Sequence, residues 1–160
     1  MGKSCYTVGM SIPIHKSHNV SQLLYHLVCP VKYRRLVFKD IAGIDSELKQ
    51  ICLEIELRYD ILFKEIGVDE DHAHFLIQSV PMISPKQIAQ IVKSITAREI
   101  FRRQPEVKHL LWGGEFWTKG YYISSVGHAV NEHVIQQYVK NQGKVYQQLH
   151  TNQRSLFDTH

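Results

Sequence analysis

The sequence predicts an α+β domain: a ferredoxin-like, split β-α-β antiparallel sheet with helices on one face, plus an extra C-terminal helix. Three observations predict it. Four segments rich in Val, Ile, Leu, Tyr and Phe are bounded by turn residues, as strands require. Two segments between them repeat apolar residues at helical spacing. The order along the chain is strand, helix, strand, strand, helix, strand and a last helix, and its first six members make a split β-α-β unit. At 160 residues and 44% hydrophobic content, the chain suits one domain with a full core.

Residues 1–21 are polar and mixed, carry Pro13, and read as a mobile or loosely docked arm. A single domain follows over 22–150, and 151–160 is a polar tail. "LLYHLVCPVKYRRLVF" (23–38) reads as a strand, with Pro30 marking a bulge or an edge position. "GIDSELKQICLEIELRYD" (43–60) reads as a helix capped by Asp45 or Ser46. Its apolar side is Leu48, Ile51, Cys52 and Ile55, with Leu57 and Tyr59 beside them. "ILFKEIGV" (61–68) and "HAHFLIQSV" (72–80) flank a short acidic turn and pair as an antiparallel hairpin that Pro81 stops. Residues 84–104 form the strongest helical pattern. Ser84 caps it, Pro85 takes the first helical position, and Ile88, Ile91, Val92, Ile95 and Ile100 recur at helical spacing. Gly113-Gly114 then precedes an aromatic strand over 116–126, and 128–150 is the final helix, with a break at Gly143.

Composition excludes several classes. The net charge of +4 and pI of 8.9 mildly favour a polyanionic partner. Cys5, Cys29 and Cys52 are odd in number, widely spaced and preceded by no secretory segment, which points to reduced thiols in a cytosol. No Cys-x-x-Cys suggests a zinc knuckle, and no apolar run is long enough to span a bilayer. "MGKSCY" departs from a myristoylation signal at Tyr6.

The informative stretch is "GVDEDHAHFLIQSV" (67–80). Successive side chains of a strand point to opposite faces, so His72 and His74 share one face while Ala73, Phe75 and Ile77 take the other. Two imidazoles so placed can bind one metal ion and, through it, a phosphate. The plainer alternative is a pair of half-exposed polar residues opposite a core. In the last helix, Tyr138 and Gln142 are four apart and share a face. The Gln142 oxygen can complete a metal site begun by the histidines, and the Tyr138 hydroxyl can then reach a phosphorus atom. A phenol titrates near pH 10 and needs a cation on the phosphate oxygens to react at neutral pH. Here too a plainer reading stands, because Val130, Val134, Tyr138 and Tyr146 also make a packing stripe.

"DHAHFLI", "CPVKYRRLVF", "WGGEFWTKGYYISSVG" and "YVKNQ", in this order and spacing, resemble the transposases of the insertion-sequence-200 family. These are single-tyrosine members of the His-hydrophobe-His endonucleases. The resemblance covers roughly residues 22–143. It implies an enzyme that cuts and rejoins single-stranded DNA at transposon ends. Its tyrosine becomes joined to a 5′ phosphate and frees a 3′ hydroxyl. It further implies hairpin recognition, Mg2+ or Mn2+, a homodimer in which subunits can share sites, and a prokaryotic, nucleoid-associated cytoplasmic location. By motif position His72, His74 and Gln142 would be metal ligands and Tyr138 the nucleophile. Ala73 departs from the family, where a larger residue usually separates the histidines.

Lys32, Arg34 and Arg35, with Tyr33 between them for stacking, form one candidate DNA contact. Arg98, Arg102 and Arg103 form a second, and Lys119 is a further candidate near the phosphate. Solvated strand ends, a helix C-terminus and a turn lysine are the plainer readings. Trp112 and Trp117 read as packing residues, and His128 and His133 as solvated or capping. Two other functions compete: a non-catalytic, domesticated hairpin-binding module on the same fold, and an unrelated His-x-His metal hydrolase. The latter needs further carboxylates, and Glu65 and the 69–71 turn are read as solvent-exposed.

Overall fold

A computed structural model of the chain describes residues 13–16 and 18–127. A short hairpin, β1 (Ile14–Lys16) on β2 (Asn19–Ser21), comes first, and Lys16 reaches Asp60 at 2.7 Å. Then follow β3 (Leu23–Pro30), a 3-10 turn (Lys32–Arg34), α1 (Val37–Asp40) and α2 (Ile44–Glu56). The hairpin β4 (Ile61–Asp69) and β5 (His72–Ser79) leads to α3 (Pro85–Arg103), α4 (Val107–Leu110) and β6 (Tyr122–Val126).

The main sheet has the order β4-β5-β3-β6, and every neighbouring pair is antiparallel. The connections through α2 and α3 each skip a strand and cover the same face. This is the ferredoxin-like, split β-α-β sheet that the pattern of elements predicts. The helix expected over 128–150 lies outside the described residues.

The two-residue period of the strands sorts the sheet into two faces. Leu27, Cys29, Ala73, Phe75 and Ile77 point to the helices and pack with Ile44, Leu48, Ile51 and Ile55 of α2 and Ile88, Val92 and Ile100 of α3. Each fully buried aliphatic or aromatic side chain there contributes about 1.5–3 kcal/mol relative to exposure. The other face carries His26, Val28, His72, His74, Leu76 and Gln78 by register. All eight residues of β5 are buried, so polar side chains on this face are shielded as well as the core ones.

α3 starts as expected. Ser84 Oγ accepts from the Gln87 backbone N–H, and the Gln87 side chain accepts from the Ser84 N–H, which closes a capping box over Pro85. Other expectations are corrected. α2 begins at Ile44 after Gly43, whose φ of 80° only glycine adopts readily, and neither Asp45 nor Ser46 caps it. Both Asp45 and Glu47 instead lie in its first turn, where the helix dipole favours them. The helix ends at Glu56, so Leu57 is 87% exposed and Tyr59 is exposed too, rather than continuing the apolar side.

β3 stops at Pro30 instead of running to 38. A proline has no N–H for the ladder, but at the last position of a central strand little pairing is lost. Its carbonyl accepts from Thr118 N at 3.0 Å. The irregularity expected at Pro30 sits in β4, between Phe63 and Glu65. The strand expected over 116–126 is confined to Tyr122–Val126. Phe116 and Trp117 are drawn into the core, leaving one bridge, Val31 to Trp117, and the Trp117 indole donates to Thr96 Oγ1 at 2.9 Å.

Candidate active site

β5 brings His72 and His74 to one face, as the alternation predicts. Their ring centroids are 4.7 Å apart at 68°, and each is only 3% exposed. They are therefore not half-exposed polar residues.

Each imidazole has its Nδ1 held. His74 Nδ1 lies 3.1 Å from Nε2 of His26, and the two rings stack with centroids 5.3 Å apart at 7°. Burial pushes the His74 imidazole down to about 3, helped by His72 and His26, and burial alone pushes His26 down to about 4. Both rings are neutral at neutral pH, the state in which an imidazole can ligate a metal. His72 Nδ1 donates to Asp71 Oδ1 at 2.7 Å, and Arg34 Nε donates to Asp71 Oδ2, also at 2.7 Å. Burial pushes the Asp71 carboxyl up, but the hydrogen bond from His72 and the Arg34 charge outweigh it and hold it below its ordinary range. An ionised acceptor requires the proton on His72 Nδ1, which turns the Nε2 lone pair toward the site. His72 Nε2 lies 4.0 Å from Asp69 Oδ2.

This arrangement fits a divalent cation in its donor chemistry. Imidazoles that ligate through one nitrogen are normally held at the other by a carboxylate or similar acceptor. Asp71 is placed to serve a ligating His72 in that way, and His26 a ligating His74. The site is incomplete, however. Among the described residues no group of three His, Cys, Asp or Glu side chains is arranged to hold a metal ion. Tyr138 and Gln142, with His128 and His133, lie outside the described residues.

Sequence reasoning missed His26, Asp71 and Asp69 as parts of the site. His26 is 48 residues from His74, and only the β3–β5 register brings them together. The sequence reads the acidic turn as exposed, yet Asp69 and Asp71 are half-buried and only Glu70 is exposed. The Asp71 carbonyl accepts from Val31 N at 2.8 Å and the Glu70 carbonyl from Phe38 N at 3.2 Å.

The basic candidates separate. Lys32 pairs with Glu115 and Arg34 with Asp71, whereas Arg35 is exposed and has no carboxylate partner among the described residues. Tyr33 is 54% exposed and stacks on Trp112, with centroids 6.0 Å apart at 14°. Trp112 is 76% exposed, so it is not the packing residue expected, while Trp117 is.

The second cluster, Arg98, Arg102 and Arg103, lies among carboxylates. Arg103 reaches Glu54 at 2.6 Å and Glu47 and Glu99 at 3.4 Å, which ties α3 to α2. Arg102 meets Glu99 at 2.8 Å, and Arg98 meets the same carboxylate at 3.7 Å. Their hydrogen bonds pull the Glu54 and Glu99 carboxyls down. Arg103 is largely buried among these carboxylates, whereas Arg98 and Arg102 stay exposed.

Lys119 is exposed, and its carbonyl accepts from the Lys93 ammonium at 2.9 Å. A groove of about 810 Å3 runs between α3 and the 114–121 segment, with Lys86, Lys93, Lys119, Tyr59 and Tyr121 in its lining. It opens on the helical side of the sheet, not on the histidine face.

Comparison with known proteins is consistent across sequence and fold. The family model described as "Transposase IS200 like" matches residues 19–142. The ISDra2 transposase TnpA of Deinococcus radiodurans is 32% identical over 123 residues, 77% of this chain and 86% of that protein. The transposase for insertion sequence element IS200 of Salmonella typhimurium is 29% identical over 120 residues, 74% of this chain and 75% of its own. A crystal structure from Deinococcus radiodurans R1, described only provisionally as a transposase, superposes with a TM-score of 0.59 at 27% identity. It covers 81% of this chain and 97% of its own. No helix among the described residues is long and apolar enough to cross a membrane.

Proposed function

The chain belongs to the IS200-like transposases, and from that membership we propose that it cleaves and rejoins single-stranded DNA at transposon ends through a 5′-phosphotyrosine intermediate. The observation that carries the reading is the pair of buried imidazoles whose Nδ1 atoms are engaged by Asp71 and His26. Such a pair is prepared to donate through Nε2 and is otherwise an expensive thing to bury. His72, His74 and Gln142 hold Mg2+ or Mn2+, and hairpins near the transposon ends supply recognition. The active form is a homodimer in which subunits can share sites.

Tyr138 is the nucleophile. Its phenol oxygen attacks the scissile phosphorus, the phosphorus–O3′ bond breaks, and the 3′ oxygen leaves and takes up the proton that the phenol gives up. When bound, the cation draws charge from the phosphate oxygens and makes the phosphorus more electrophilic. Rejoining reverses the exchange: a 3′ hydroxyl attacks the phosphotyrosine and the phenolate leaves. One phosphodiester is exchanged for another, so no external energy source is needed. Asp71 and Arg34 orient His72, and His26 orients His74.

The test is a hairpin-bearing single strand incubated with Mn2+ and resolved on a denaturing gel. We expect a covalent protein–DNA band that Tyr138→Phe abolishes. Hairpin binding with no such band, across a fair set of end sequences, overturns the reading in favour of a non-catalytic module. Hydrolysed product with no covalent species favours a simple hydrolase.

A further inference from the structure

We propose that Tyr33 and Trp112 form a stacking platform for an unpaired base of the DNA strand beside the cleaved phosphate. The proposal rests on the reading of single-stranded DNA as substrate, and it names where part of that strand sits.

Three independent observations support it. The first is exposure. Phe116 and Trp117 are buried in the core, yet Trp112 from the same segment is 76% exposed. It lies nearly parallel to Tyr33, itself 54% exposed, at 14°. Unlike singly exposed apolar side chains, the two adjoining rings stack nearly parallel and leave aromatic face open to solvent.

The second is the backbone. Tyr33 has φ 57° and ψ 17°, and Arg34 has φ 54°. Two successive non-glycine residues in the left-handed region are uncommon, and such strain collects at ligand sites. The conformation is held from several sides. Arg34 N donates to the Val31 carbonyl, the Arg34 side chain to Asp71, and the Lys32 ammonium to Glu115. On the other side Gly114, with φ 72°, turns the chain that carries Trp112. With the turn held so, Tyr33 is 54% exposed.

The third is position. Arg34, next to Tyr33, is bonded to the carboxylate that holds His72. The platform is thus two hydrogen bonds from the imidazole pair. Lys32, whose ammonium also lies 5.3 Å from the Tyr33 ring centroid, and Arg34 are paired with carboxylates, and among the described residues of this turn Arg35 has no carboxylate partner. An aromatic face flanked by cations suits stacking on any base, without reading its edge. Bases in a duplex are already stacked, so the platform serves only unpaired ones.

The experiment uses the full chain without divalent metal, so that nothing is cut, and a short oligothymidylate as probe. Trp112→Ala should weaken its binding roughly 5- to 150-fold, the range one base–aromatic stack is worth. The slope of log K against log salt should stay unchanged, because no phosphate contact is lost. Trp112→Phe should retain most of the affinity, and a blunt-ended duplex with no unpaired base should bind wild type and variant alike. Emission from the buried Trp117 reports that the variant is folded. Oligothymidylate affinity within about twofold of wild type, or an equal loss on the blunt-ended duplex, overturns the proposal. If wild type forms the Tyr138 adduct while Trp112→Ala binds normally, the platform fails alone. If no adduct forms but Trp112→Ala still loses the oligomer selectively, the platform stands and the transposase mechanism fails.

Discussion

Asp71→Asn isolates the orienting carboxylate from the ligands themselves. The substitution keeps the size of the side chain and keeps the backbone carbonyl that binds Val31 N. It removes the charge that fixes the proton on His72 Nδ1 across a 2.7 Å contact, and it weakens the hold on Arg34. The amide can turn its NH2 toward His72, which would move the imidazole proton to Nε2 and block that nitrogen as a ligand. Loss of a partner of this kind costs roughly 10- to 100-fold in metal affinity, about 1.4–2.7 kcal/mol. Stability should change less, about 1 kcal/mol or below, because the Arg34 side chain of the ion pair is half exposed. Calorimetric titration with Mn2+ measures the first quantity and urea unfolding the second. A double-mutant cycle sharpens the result: in a His72→Ala background, Asp71→Asn should cost almost nothing further in Mn2+ affinity. An Mn2+ affinity within about twofold of wild type, or a full additive loss in the double variant, would refute the argument that Asp71 acts through His72.

Three further outcomes follow from the packing and the charges. Thr96→Val removes the acceptor of the buried Trp117 indole N–H and should cost about 1–3 kcal/mol in urea unfolding, whereas an unchanged midpoint would mean that the indole re-pairs. Arg103→Ala should lower Tm because α2 and α3 lose their shared ion pairs, yet leave the salt slope of single-strand binding intact. A slope smaller by about 0.7, the value of one phosphate contact, would show that Arg103 does meet DNA. In metal-free protein, stability should fall as pH drops from 6.5 toward about 4. The folded His26 and His74 sit below their ordinary values, so in that window the unfolded chain binds more protons than the native one. The loss should be on the order of a few kcal/mol in urea unfolding at pH 7 against pH 5, and equal midpoints would contradict the burial of neutral imidazoles.

What the sequence by itself determined is what nearest neighbours along the chain decide. Alternation over two residues puts His72 and His74 on one face whatever the strand pairs with. Ser84 and Pro85 start α3 by groups within a single turn, and the acidic turn with apolar flanks makes the β4–β5 hairpin. The order of elements then leaves little besides the split β-α-β sheet. What only the tertiary structure decided is register and partner choice. His26 joins His74 because β3 lies beside β5 in one particular alignment, and a shift of one residue would send it to the helical face. The ion pairs of Arg103 are invisible in the sequence because a cation there carries no record of its carboxylates, and those on Glu47 and Glu54 come from another helix. Trp112 and Trp117 are both aromatic residues near glycines in one segment, yet the core takes one and the left-handed turn at Tyr33 keeps company with the other. Short-range sterics and side-chain period act through the chain, so they can be read from it. Register, charge pairing and exposure act through space and depend on which surfaces the whole fold buries.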